Sequence, residues 1–196
     1  MNQHSELDPT IEYYNKNSSA FISRTINADM SDAYGRFLEL LPEGARVLDA
    51  GCGSGRDAKK FTDLGFRVSA FDASEEMVKH ASEHAGIEVQ QLRFDQLKYK
   101  NEFEGVWACA SLLHVRKDDF DSELQHLVDA LRSGGVLYIS MKEGESKVPE
   151  GGRHFSYFSA CEVEEIVSSH ADLDLNYLWV SETPECTWIN VLAKRV

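Results

Sequence analysis

Short apolar runs alternate with amphipathic stretches along most of the chain. Residues 46–50, 67–71, 88–92, 103–110 and 136–141 are brief apolar segments of the kind that form strands buried on both faces. Residues 54–64, 74–83, 118–131 and 159–168 carry apolar positions at helical spacing; Ala58, Phe61 and Leu64 share one face of the first. Gly65 and Ser133-Gly134-Gly135 read as helix ends, and Ser74 before Glu75 and Glu76 reads as an N-cap. Two helical segments come earlier, from Pro9 to about Phe21 and from Ser31 to Leu41, closed by the turn Pro42-Glu43-Gly44. Two strands end the chain, residues 174–180 and 187–194, with no helix between them. Repeated βα steps followed by a hairpin predict an α/β fold with a doubly wound sheet and an antiparallel edge.

Composition narrows this only slightly. The 196 residues are 42% apolar and 27% charged, which suits an ordinary globular chain and excludes disordered and fibrous classes. Twenty basic against 33 acidic residues give −13, which disfavours nucleic acid and anionic membrane surfaces as partners. The first residues carry neither a basic nor an apolar leader pattern, so no signal peptide is expected. Cys52, Cys109, Cys161 and Cys186 form no CxxC pair and read as reduced thiols of a cytoplasmic protein.

The candidate chemistry sits after the first strand. In an open α/β sheet, ligands bind beyond the carboxyl ends of the strands. The first strand runs into Asp49-Ala50-Gly51-Cys52-Gly53-Ser54-Gly55, and Asp72 ends the second, 21 residues past Gly51. A glycine loop admits a close ligand, and an acid at that distance accepts ribose hydroxyls. The pair points to an adenosine-type cofactor. Arg56 stands where a dinucleotide fingerprint needs its third glycine, which disfavours a nicotinamide oxidoreductase.

Residues 47–55, Phe71-Asp72-Ala73-Ser74, Ala110-Ser111-Leu112-Leu113-His114-Val115 and Leu131-Arg132-Ser133-Gly134-Gly135 resemble the class I S-adenosylmethionine-dependent methyltransferases. Gly55-Arg56-Asp57-Ala58 is similar to the tellurite-resistance group within that class. The resemblance implies a Rossmann-like seven-stranded sheet, order 3-2-1-4-5-7-6 with the last strand antiparallel. It implies a helical cap over residues 1–41 and a cofactor domain over 42–196. It implies S-adenosyl-L-methionine as cofactor and a small-molecule acceptor, with monomer and homodimer both open. Asp49 and the backbone of Gly51, Cys52 and Gly53 would hold the methionine ammonium, and Asp72 the ribose, with Ala73 beside it. Met77 and Phe94 would flank the adenine; Arg93 stands where an acid is usual, with Asp95 as the substitute. Ala110 and Ser111 would line the methionine arm. Tyr13 or Tyr14 would close over the cofactor carboxylate, with Arg56 as a second candidate. A non-catalytic cofactor module and a methyltransferase acting on RNA or protein are the alternatives.

Three residues are candidates for the chemistry itself. His114 is either a general base or a structural histidine. Arg153 and His154 end a polar, glycine-rich stretch, residues 142–158, that reads as a lid with Arg153 or His154 turned to an acceptor oxyanion or carboxylate. His80 and His84 fit a zinc spacing, but their helix face is expected to be solvated, so no metal is predicted. Cys109, Tyr157, Phe158, Trp179 and Trp188 are expected to pack.

Overall fold

The computed structural model describes residues 8–144 and 152–196. Seven strands form one sheet in the order β3-β2-β1-β4-β5-β7-β6. They are β1 (Arg46–Ala50), β2 (Arg67–Asp72), β3 (Val89–Gln91), β4 (Phe103–Ala108), β5 (Leu131–Lys142), β6 (Leu173–Glu182) and β7 (Thr187–Arg195). The first five pair in parallel; β7 runs antiparallel to both β5 and β6. The helices are α1 (Pro9–Thr25), α2 (Ser31–Leu38), α3 (Arg56–Asp63), α4 (Glu75–Ala85), α5 (Phe120–Ala130) and α6 (Ala160–Ser169). The order reverses between β1 and β4, so the crevice opens beyond the ends of those two strands.

Alternate strand residues feed two cores. Leu48, Val106 and Leu137 face α5 and α6, where Leu124, Leu127, Val163 and Val167 meet them. Val47, Trp107 and Tyr138 face the other way, against Tyr34 and Phe37 of α2 and Phe61 of α3. Trp107 and Tyr138 stack at 3.8 Å between ring centroids, and Phe37 lies 5.1 Å from Trp107. Phe37 is fully buried, so α2 belongs to the core as much as to the cap.

Several boundaries differ from the sequence expectation. Ser133-Gly134-Gly135 does not separate helix from strand. It lies inside β5, where two steps of β4, Phe103 to Gly105, oppose Leu131 to Val136. Gly134 takes φ +76°, and a Cβ on Gly135 would come within 2.8 Å of a backbone carbonyl, so glycine is what permits the excursion. β4 stops at Ala108, because Ala110 takes φ +51° and carries the chain out of the sheet. α1 runs on to Thr25 across a break at Asn17, and α2 stops at Leu38. Among the described residues, no helix is long and apolar enough to cross a membrane.

Candidate active site

The loop after β1 is fastened by its backbone. The N–H groups of Gly51 and Cys52 both donate to Phe71 O, at 2.9 and 3.0 Å, which folds the loop over the end of β2. Gly51 takes φ +73°, and a Cβ there would lie 2.5 Å from Ser111 Cβ. Gly55 opens α3 at φ +75°, and a Cβ on it would meet Ala81 Cα of α4 at 2.7 Å. Here glycine allows two helices to touch.

Asp72 completes the frame. Its Oδ2 accepts Gly53 N–H at 2.9 Å and its Oδ1 accepts Ser74 N–H at 2.9 Å. Burial pushes its carboxyl up, and these backbone donors oppose the shift. Ser74 caps α4 through Met77 N–H at 3.3 Å and donates to Asn15 Oδ1 of α1 at 2.7 Å. Asp72, Ala73, Met77, Phe94, Asp95, Gly51, Cys52, Gly53, Ala110 and Ser111 all line one cleft of about 920 Å³. Phe94 stands edge-on to Phe71 at 5.4 Å, and Arg93 pairs with Asp95 at 3.2 Å.

Four expectations need correction. Asp49 is 1% exposed and does not line the cleft; it lies on the Val47 face of β1, behind the glycine loop. Burial, then nearby Asp57, holds its carboxyl well above the usual range, and its Oδ2 has no hydrogen-bond partner among the described residues. Arg56 does not offer its fork to a ligand. Its Nε and Nη2 donate to Asp57 at 2.6 and 2.8 Å, and Nη1 donates to Thr25 O at 3.3 Å. Burial opposes the Arg56 charge, and Asp57 more than restores it. The ring of His154 is not part of the cleft wall; its Nε2 meets Ser156 Oγ at 3.1 Å, and its backbone binds His114 and Thr10. His80 and His84 are half-buried rather than solvated. His80 Nδ1 donates to Ser54 O at 3.1 Å, and the two rings stack at 5.8 Å. Among the described residues no cluster of three or more His, Cys, Asp or Glu is placed to hold a metal ion.

Asp57 is the residue that sequence reasoning passed over. Besides Arg56, it accepts the Tyr34 hydroxyl of α2 and Trp107 Nε1 of β4, the latter at 2.9 Å. No local spacing signals this, because its partners lie 23 and 50 residues away. Cys109 borders the same network, and burial pushes its thiol up to about 12.

The other half of the cleft is assembled by side chains. His114 Nδ1 lies 2.7 Å from His154 O, so Nδ1 carries the proton and Nε2 accepts the Tyr14 hydroxyl at 2.8 Å. Burial lowers His114 to about 4, so the ring is neutral at pH 7 and both nitrogens are engaged. Tyr14 therefore turns its hydroxyl proton to His114 instead of to a ligand. Tyr14 also packs edge-on against Phe21 at 5.0 Å, and Phe21 lies under Gly53. Residues 145–151 of the lid reading lie outside the described residues. The described remainder is fastened: Ser156 N–H donates to Leu113 O and Ser156 Oγ to Val115 O, both at 2.7 Å. Phe158 packs on Phe120 at 5.1 Å as expected, but Trp179 and Trp188 line the cleft.

Residues 22–179 match the model of a methyltransferase domain family. The chain belongs to that family. It is 25% identical over 158 residues to a putative methyltransferase of Bacillus subtilis, covering 76% of this chain and 59% of the relative. It is 33% identical over 108 residues to a ubiquinone biosynthesis O-methyltransferase of Xanthomonas axonopodis, covering 52% of this chain and 44% of the relative. The chain thus spans about half the length of the curated relatives it matches. In fold it resembles the 1,6-didemethyltoxoflavin-N1-methyltransferase of Burkholderia thailandensis, solved with S-adenosylhomocysteine, at TM-score 0.75 and 23% identity over 98% of this chain and 92% of that one.

S-adenosylmethionine is the cofactor of the methyltransferase domain, and this cleft fits it. The glycine loop leaves no room for a Cβ at Gly51, and Ser111 Oγ, which is buried and lines the cleft, has no hydrogen-bond partner among the described residues. Such a group suits a ligand that brings donors of its own. Asp72 lines the cleft at the end of β2, where a ribose would lie.

Proposed function

We propose that this chain transfers a methyl group from S-adenosylmethionine to a small organic molecule held at the β5–β7 end of the cleft. One observation carries the reading. The cleft runs past the glycine loop into a chamber walled by Tyr138, Phe155, Trp179 and Trp188, and its volume of about 920 Å³ exceeds a cofactor's need. The cofactor supplies a methyl carbon already activated on a sulfonium. The protein's work is to align an attacking lone pair with that carbon and to exclude water.

In this reading Asp72 holds the ribose, Met77 and Phe94 flank the base, and the Gly51–Gly53 backbone and Ser111 hold the methionine arm. His114 is a positioning residue, because a neutral imidazole of low basicity with both nitrogens bonded takes a proton poorly at pH 7. The acceptor that suits such a site is nucleophilic as bound: a ring nitrogen, a thiolate or an oxyanion. Tellurite belongs to that class, but its support is the sequence Gly55-Arg56-Asp57-Ala58, and Arg56 and Asp57 bind each other. The aromatic chamber favours a larger, flat molecule. The acidic chain, at −13, weighs against RNA.

Calorimetry with S-adenosylmethionine, S-adenosylhomocysteine and NAD is the first test. The reading expects one site for the first two and no heat with NAD; binding of NAD alone overturns it. Release of S-adenosylhomocysteine across a panel of flat nitrogen, thiol and phenol acceptors is the second. Binding with no turnover on any member favours a non-catalytic cofactor module.

A further inference from the structure

The β5 end of the cleft carries two cations around one ring. Lys142 Nζ lies 4.4 Å from the centroid of Phe155 and 5.7 Å from that of Trp188. Arg153 Cζ lies 5.0 Å from the Phe155 centroid and 4.2 Å from that of Tyr13. Lys142, Arg153, Phe155 and Trp188 all line the cleft. Arg153 forms no ion pair among the described residues, in a chain with 33 acids against 20 bases. Its Nε is buried and reaches no hydrogen-bond acceptor among the described residues, while another part of the guanidinium meets the Tyr14 hydroxyl. A buried charged donor without an acceptor is destabilising unless a ligand supplies one. Two aromatic faces nevertheless hold the guanidinium in place, as cation–π contacts do.

We infer that this end of the cleft takes a carboxylate borne on a flat aromatic ring, with Arg153 gripping the carboxylate and Phe155 and Trp188 bordering the ring. The planar fork of arginine matches two carboxylate oxygens. The field of both cations reaches His114, opposing its protonation. Glu182 and Glu185 also border the chamber, but they sit exposed on its outer rim, where water screens them. The cofactor's own carboxylate is the competing occupant. Arg153 also meets Tyr13 and Tyr14 of α1, and the Arg153→Ala variant separates that occupant from the acceptor. The inference deepens the methyltransferase reading by naming an acceptor class, although the anion site rests on its own geometry.

The test uses 2-naphthoate and its neutral isostere 2-naphthamide, titrated into the protein saturated with S-adenosylhomocysteine. The acid should bind at least about tenfold more tightly than the amide, the difference one charge-assisted pair supplies. Arg153→Ala should abolish that preference and Arg153→Lys retain part of it, with S-adenosylhomocysteine affinity within about twofold of wild type in both. Thermal unfolding of each variant identifies any that fails to fold, and Arg153→Lys then carries the comparison. Equal binding of acid and amide by the wild-type protein overturns the inference. So does a tenfold loss of S-adenosylhomocysteine affinity in Arg153→Ala, because Arg153 would then serve the cofactor carboxylate. If the wild type binds no S-adenosylhomocysteine, the methyltransferase reading fails, and acid-over-amide preference measured without it still decides the anion site.

Discussion

The two ends of the cleft are built by different means. At the β1–β2 end the ligand surface is mostly backbone: Gly51 N–H, Cys52 N–H and Phe71 O shape the loop, and Asp72 clasps Gly53 and Ser74 by their amides. These parts all come from residues 51–74. At the β5–β7 end the surface is side chains from four distant segments: Tyr14 of α1, His114 after β4, Arg153 and Phe155 before α6, and Trp188 of β7. A backbone site demands glycine at fixed places, so it leaves a mark on the sequence. A side-chain site is made by tertiary packing, where many residue types can meet, and it leaves almost none.

The largest expected effect falls where the first end depends on more than backbone. Asp57→Ala removes the acceptor shared by Arg56, Tyr34 and Trp107. The Arg56 side chain is 18% exposed, so its charge is stranded. Breaking a buried pair from one side costs about 3–5 kcal/mol, to be read from urea unfolding. A loss under 1 kcal/mol would mean that the network contributes little and that the loop stands by its backbone alone.

Asp72→Asn comes next. An amide keeps one acceptor oxygen for the two N–H donors of Gly53 and Ser74 and turns its own NH₂ toward the other. About 2 kcal/mol of stability should go, and S-adenosylmethionine should bind at least about tenfold more weakly. The two backbone bonds show that Asp72 is structural as well. Unchanged cofactor affinity by calorimetry would remove Asp72 from the ribose site.

These cases show what was legible. The doubly wound sheet with its antiparallel edge, the glycine loop, Asp72 at the end of β2 and the Ser74 cap were readable from period, turn chemistry and one acid at a fixed spacing, whereas the strand order followed from the family resemblance. The position of Asp49 was not, since a strand residue next to a loop can face either way, and pleat parity with Val47 decides it. Arg56 looked available because its partner is its own sequence neighbour, Asp57, and adjacent helical residues seldom meet. The role of His154 was hidden for another reason: its carbonyl orients His114, and any residue has a carbonyl. Lys142 and Trp188 come together only because β5 and β7 pair at that position.

Acid unfolding sharpens the contrast from the other end. His114 titrates near 4 in the fold and near 6.5 when exposed. The unfolded chain takes up a proton that the folded one refuses. The stability is therefore fully present above pH 6.5 and is lost as pH falls toward 4, by about 2 kcal/mol at pH 5. Urea midpoints of wild type and His114→Asn at pH 7 and pH 5 isolate this share, because the carboxylates are common to both. Parallel losses in the two proteins would show that His114 titrates normally, and the dry character of this end would be wrong.

Tyr14→Phe should have the smallest effect and discriminate most finely. The ring keeps its edge contacts with Phe21 at 5.0 Å and His114 at 5.4 Å, so packing is preserved. The hydroxyl bond to His114 Nε2 is lost, about 1 kcal/mol at pH 7, together with the hydroxyl's contact to Arg153. That bond favours neutral imidazole, because its nitrogen lone pair is occupied. Without it His114 accepts a proton more readily, so its folded pKa rises from about 4 toward 6.5, and the acid loss of stability becomes shallower. The variant should thus be slightly weaker than wild type at pH 7 and still so at pH 5, and approach it only as pH falls to 4 and below. An acid limb identical to wild type would mean that burial alone keeps His114 neutral, leaving Tyr14 as packing. A converging limb makes Tyr14 and His114 one unit, joining α1 to the end of β4 across 100 residues of sequence.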